Sequence, residues 1–161
     1  MDEIAEWVTE AIPNVKMRMS FDTLEYLRKG GRIGKAQAFL GSLLKTRPVL
    51  AIEDGDTVPV ARPRQRERAT ELLLDLVRDS QRIEAVVVED ANNPTESEAL
   101  VRRLKSFVPP DRVYRSKVSP VIGTHVGPHV LGVSVLESVG KPKQPGGAVR
   151  QNPFRSNMVF Q

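Results

Sequence analysis

The chain has 161 residues, 40% of them apolar and 27% charged, the composition of one globular domain and not of a disordered or fibrous polypeptide. It contains no cysteine, which excludes a disulfide framework, a thiolate metal site and a cysteine nucleophile, and no apolar run nears the roughly 20 residues of a spanning helix, which argues against stable membrane insertion. The net charge of +4 is a weak pointer to nucleic acid, because Lys+Arg and Asp+Glu balance through Glu137 and the excess is Lys141, Lys143, Arg150 and Arg155.

The opening residues "MDEIAEWVTE" are acidic and amphipathic, unlike a signal or transit peptide, so the cytoplasm is the expected compartment. Ile4, Trp7, Val8, Ala11 and Ile12 keep the helical period and predict an amphipathic helix over 2–12. Val15, Met17, Met19 and Phe21 alternate with Lys16, Arg18 and Ser20, the pattern of a half-buried strand. A short helix is expected from Asp22, with Glu25 as its capping-box partner, ending at Gly30 in the left-handed conformation. Ala36, Phe39, Leu40, Leu43 and Leu44 predict a second short helix from Gly34.

"RPVLAIEDGDTVPVA" reads as two strands around an Asp54–Gly55 hairpin turn. Ala69, Leu72, Leu73, Leu76 and Val77 define a long helix, and "IEAVVVED" is a buried strand. Asn93 as N-cap, Pro94 and Glu96 open a further helix running to Ser106. "DRVYRS" is a strand, and "VSPVIGTHVGPHVLGVSVLE" offers two more, broken by a glycine-rich turn. Residues 138–161 lack periodicity and carry glycine, proline and only basic charge, so a disordered basic tail is expected there. The succession predicts an α/β fold over 1–137, a two-layer mixed sheet covered by helices. Its leading helix, 1–13, has nothing before it to pack on.

"YLRKGGRIGKA" is not a phosphate loop of the Walker type. Gly30 and Gly34 are separated by three residues instead of four, and Lys35 is followed by Ala36, which has no hydroxyl for a magnesium ion. Its glycines suit a helix end and chain reversal, while Arg28, Lys29, Arg32 and Lys35 are either solvated or form an anion- or partner-docking surface. Arg62, Arg64, Arg66 and Arg68 recur at every second position. They mark either a solvated helix entry or a surface for an acidic protein, since few aromatics accompany them for stacking on bases. In "SPVIGTHVGPHVLGV", Gly123 and Gly127 flank Thr124 and His125, a hydroxyl and an imidazole suited to a small polar group such as a carboxylate. His125 as a structural histidine is the alternative. No metal site is expected, because Gly127–Pro128 breaks any helix between His125 and His129, and no catalytic triad or carboxylate pair presents itself.

Taken together, "FDTLEYLRKGGRIGKAQAFLGSLLKTRPVLAIEDGDTVPVARPRQRERA", "SPVIGTHVGPHVLGV" and the compatible "IEAVVVEDANNPTESEALVRRL" resemble the DegV family of bacterial fatty-acid-binding proteins. The resemblance implies a lipid carrier and not an enzyme, with no cofactor. It also implies that the family's second domain is present here without its first, whose hydroxyl residues bind the lipid carboxylate, and that the tail is a foreign ending. The GTH-x-GP motif falls on Gly123, Thr124, His125, Gly127 and Pro128, and the resemblance places His125 near the carboxylate. His129 departs from the glycine common in the family. GGRIG falls on Gly30, Gly31, Arg32, Ile33 and Gly34, near the domain interface in relatives; Ile33, Phe39 and Leu40 are the expected tunnel walls.

The expected partners are a long-chain fatty acid and a separate fatty-acid kinase docking at Arg62, Arg64 and Arg66, with self-association through an exposed domain face. With one domain, lipid binding is expected to be weak. The alternative function is a basic protein- or nucleic-acid-interaction module.

Overall fold

The computed structural model describes residues 2–42 and 46–138. The predicted tail beyond Ser138, and Leu43 and Leu44 of the predicted second short helix, lie outside the described residues. In chain order the elements are α1 (Asp2–Ala11), β1 (Val15–Ser20), α2 (Glu25–Lys29), β2 (Val49–Glu53), β3 (Asp56–Ala61) and α3 (Arg66–Asp79). They continue as β4 (Ile83–Asp90), α4 (Pro94–Leu104), β5 (Val113–Lys117), α5 (Pro120–Val126) and β6 (Leu131–Glu137). Short 3₁₀ turns occupy Ile12–Asn14, Gly34–Ser42 and Pro110–Arg112.

The strands form one open mixed sheet in the order β3-β2-β1-β6-β4-β5. Only β4 and β5 are parallel, joined through α4 as a βαβ unit; the other pairs are antiparallel. The β2–β3 hairpin turns through Asp54 (φ 51°) and Gly55 (φ 80°), the two left-handed residues a tight hairpin demands.

Helices α3 and α4 cover one face of the sheet. Leu73, Leu74, Val77, Leu100 and Leu104 pack there on Val49, Val86, Val88, Val133 and Val135, all fully or almost fully buried. Each such side chain contributes about 1.5–3 kcal/mol of burial. A second apolar cluster lies on the opposite face at one end of the sheet. It joins Phe21, Leu24, Leu27, Ala36, Leu50, Val126 and Val130, and brings α2, the Gly34–Ser42 turn and α5 together.

Several local expectations change. The left-handed residue after α2 is Gly31 (φ 67°), whereas Gly30 has φ −80°. Arg32 N–H reaches Leu27 O at 2.9 Å and Gly31 N–H reaches Arg28 O at 3.2 Å, the paired bonds of a Schellman end with Gly31 outside the helix. Asp22 does not cap α2; its carboxylate holds Arg47, and Glu25 N–H bonds Thr23 Oγ1 at 3.2 Å. Asn93 is the N-cap residue of α4, but its side chain donates to Glu96 Oε2 at 2.7 Å instead of accepting from the helix. The second short helix is 3₁₀ and not α.

The larger correction concerns "SPVIGTHV", which is a helix, α5, not a strand. Ser119 caps it by accepting from Ile122 N–H, Pro120 takes the first helical position, and Gly127 (φ 76°) ends it. Strand β1 keeps its expected side at one end, where Phe21 is buried and Met19 packs on the second cluster, but not at the other. Arg18 lies beneath α3, its Nη1 donating to Leu72 O at 2.9 Å, while Val15 is 50% exposed on the other face. The leading helix forms as predicted, yet Ile4, Trp7, Val8 and Ile12 are exposed, and only Ala11 is buried.

Candidate functional site

The two glycine-bearing motifs meet. A Cβ built at Gly30 would stand 2.2 Å from His125 Nδ1, and one at Gly127 would stand 2.3 Å from Tyr26 Cδ2. Each helix end therefore admits an aromatic ring from the other motif, and any larger residue would push that ring aside. Gly123 differs, since no atom beyond its chain neighbours and its own helix backbone lies within 4 Å of the place a Cβ would take. His125 is half-buried, and its Nδ1 is buried without a hydrogen-bond partner. Thr124 is exposed, but its hydroxyl donates to Val121 O at 2.7 Å inside α5. Beside them, Val121 and Ile122 are exposed, apolar and at the surface of the same helix.

Next to this edge lies the sheet face that α3 and α4 do not cover. Cross-strand pairing sets three rows on it: Met19–Gly132–Glu89, Met17–Ser134–Val87 and Val15–Leu136–Ala85. The contact of a Cβ at Gly132 with Met19 Cγ (3.3 Å) and Glu89 Cβ (3.9 Å) confirms the common side. Met17, Met19, Val87, Leu136 and Ala85 are half-buried. Met19 also packs on the second cluster, which joins this face to α5 through Val126, while Ser134 and Glu89 bring polar groups onto the same face. Burial pushes the Glu89 carboxyl up from its ordinary range, with the Ser134 hydroxyl opposing it.

The other predicted residues divide. Ile33, Phe39 and Leu40, the expected tunnel walls, are half-buried and packed against the second cluster. Arg32 is exposed, with Nη1 3.4 Å from Gly30 O. Arg62 stacks its guanidinium 4.7 Å from the Phe39 ring centroid, and Arg64 is exposed. Arg66 turns inward to Glu96 and to Asp22 (3.7 Å). In the basic loop, Arg28 pairs with Glu25 at 2.8 Å and Lys35 with Asp56 at 3.4 Å. Gly123, Thr124 and His125 thus lie on α5 and Arg32 just beyond α2, while Arg62 reaches the cluster between the two helices through Phe39. Met17, Val87, Leu136 and Tyr26 were not anticipated. The available signal was the alternation of Met17 with Arg18, which marks a shared face without saying what lies on it.

The sequence profile of the DegV family, described as uncharacterised proteins, matches residues 1–138. The chain belongs to the DegV family. Protein DegV of Bacillus subtilis is 32% identical over 136 residues, 82% of this chain and 48% of that protein. A DegV domain-containing protein of Streptomyces coelicolor is 40% identical over 117 residues, 71% of this chain and 42% of the relative. This DegV chain therefore spans about half the length of the curated relatives it matches.

Among solved structures, a DegV family protein of Thermus thermophilus, described for its fatty-acid binding, superposes with a TM-score of 0.77 at 29% identity, covering 86% of this chain and 51% of that one. The crystal structure of Bacillus subtilis DegV, described as a fatty-acid-binding protein, gives a TM-score of 0.70 at 30% identity over 84% of this chain and 50% of that one. Among the described residues, no helix is long and apolar enough to cross a membrane.

Proposed function

We propose that this DegV chain contributes the histidine-bearing edge and one apolar wall of a long-chain fatty-acid site, and acts by binding and not by catalysis. The observation that carries this is the half-open sheet face with Met17, Met19 and Val87, which reaches through Met19 the cluster packed on α5, the helix that bears the half-buried His125. Nδ1 of His125 is pressed against Gly30 without a partner, and a bare lone pair there costs less than an unpaired N–H. With Nδ1 left as a bare lone pair, the ring N–H is on Nε2, the nitrogen left to donate to a carboxylate. The Thr124 hydrogen is engaged with Val121, so His125 is the stronger candidate of the two.

An acyl chain gains about 0.8 kcal/mol for each CH₂ taken fully from water. On a single open wall it buries roughly one side, so affinity per carbon falls to about half of that. Palmitate titrated into the chain should bind saturably and more weakly than submicromolar, and His125→Ala should weaken it by about tenfold, the worth of one hydrogen bond. Equal affinity in the His125→Ala chain would contradict the carboxylate role.

The same reading includes presentation of the acid to a separate kinase at Arg62 and Arg64. Arg64→Glu should then slow phosphorylation of bound lipid without changing palmitate affinity. It also includes self-association through the exposed apolar face of α1, read by sedimentation as a concentration-dependent mass. The basic-module alternative loses ground because Arg28, Lys35 and Arg66 have acidic partners within the fold.

A further inference from the structure

Asp90 is the last residue of β4, fully buried, and it serves none of the contacts described above. Its Oδ1 accepts from Lys117 Nζ at 2.5 Å and from Asn93 N–H at 3.0 Å, and Arg115 Nη2 lies 3.6 Å from Oδ2. Burial alone would push this carboxyl up, but Lys117, Asn93 N–H and the Ser97 hydroxyl bring it below its ordinary range, so it is held as a carboxylate.

The backbone at the same point does something specific. Val118 N–H bonds Asp90 O at 3.0 Å, Ala91 N–H bonds Val130 O at 3.0 Å, and His129 N–H bonds Ala91 O at 2.8 Å. Segment 118–130, which carries α5 and His125, is therefore tied at both its ends to residues 90 and 91. Lys117 immediately precedes the first tie, so its pair with Asp90 holds the strand end from which α5 departs.

We propose that Asp90 is a positioning residue for α5, fixing where His125 stands against Gly30; the functional consequence rests on the fatty-acid reading above. It touches no ligand. Its carboxylate locks the ends of β4 and β5 together, and the backbone ties carry that constraint into the helix.

The test is Asp90→Asn, with Lys117→Met as a second route to the same lesion and Glu71→Gln as a control. Glu71 pairs with Arg78 and Arg103, away from α5. Lys117 is 58% exposed, so in Asp90→Asn its ammonium can reach water, and in Lys117→Met the Asp90 carboxylate keeps Asn93 N–H and the Arg115 guanidinium, so both variants should fold. Hydrogen exchange at the Val118 and His129 amides should rise by about tenfold in Asp90→Asn and in Lys117→Met, with amides of β1 and β2 unchanged. Palmitate affinity should fall by about tenfold in both but not in Glu71→Gln, and the double variant should be no worse than either single one.

Unchanged exchange at Val118 and His129 would overturn the positioning role. Raised exchange with affinity equal to that of Glu71→Gln would overturn its link to the site. Absence of palmitate binding in the unsubstituted chain would remove the fatty-acid reading, while the exchange result would still decide what Asp90 does.

Discussion

Gly30 and His125 are the residues on which the site turns. Gly30→Ala forces a methyl into the imidazole, and should cost about 1–3 kcal/mol in urea unfolding together with loss of palmitate affinity. An unchanged unfolding midpoint would show that the ring can move away freely. His129 holds φ 63°, a conformation that costs a residue with a Cβ about 1 kcal/mol, so His129→Gly should raise stability by about that amount.

Two neighbouring acids respond to pH in opposite senses. Asp90 titrates below its unfolded value, so its stabilising contribution is present above the ordinary carboxylate range and is lost as pH falls through its folded pKa. Glu89 titrates above its unfolded value, mainly through burial; its destabilising contribution is complete above its folded pKa and disappears as pH falls below the ordinary range. Glu89→Gln should accordingly raise the urea midpoint at neutral pH and lose that advantage in acid. Asp90→Asn should flatten the acid-side decline.

At the scale of elements, period and punctuation go far but not all the way. The βαβ unit, the Asp54–Gly55 hairpin and α3 follow from apolar spacing and turn residues, and the structure has them where that spacing puts them. At α5 the apolar Val121 and Ile122 before Gly123 and Gly127 have the pattern of a strand and a glycine-rich turn, and mislead. The pair Ser119–Pro120 is the signal that decides otherwise, a cap followed by a proline at the first helical position. α1 shows the converse: its pattern is legible, but periodicity cannot say whether a covering surface is present. With Trp7 41% exposed in the single chain, Trp7→Ser should change the unfolding free energy of the dilute monomer by less than about 0.5 kcal/mol, and Trp7 fluorescence at that dilution should be that of a solvated indole. A large loss would mean that α1 packs on something.

The molecule as a whole is a sheet covered by helices on one face and, at one end only, on the other. That asymmetry was not legible in the chain. The alternation in β1 says that Val15, Met17 and Met19 share a side, and hydrophobicity suggests that side is the core; the structure instead puts Arg18 under α3 and leaves the methionines half-open. Nor does sequence bring Gly30 to His125, since their contact is made by the folding of α2 onto α5. What sequence did reveal was the pair of motifs; what the fold adds is that they are one edge, with an apolar wall running away from it.

The methionine methyl groups test that arrangement most directly. The chain has four methionines, of which Met17 and Met19 lie on the open face. With ¹³C-labelled methionine methyls and increasing palmitate, saturable shifts are expected at Met17 and Met19, weakened by His125→Ala. Resonances of both that stay fixed while palmitate binds would place the lipid elsewhere and contradict that arrangement.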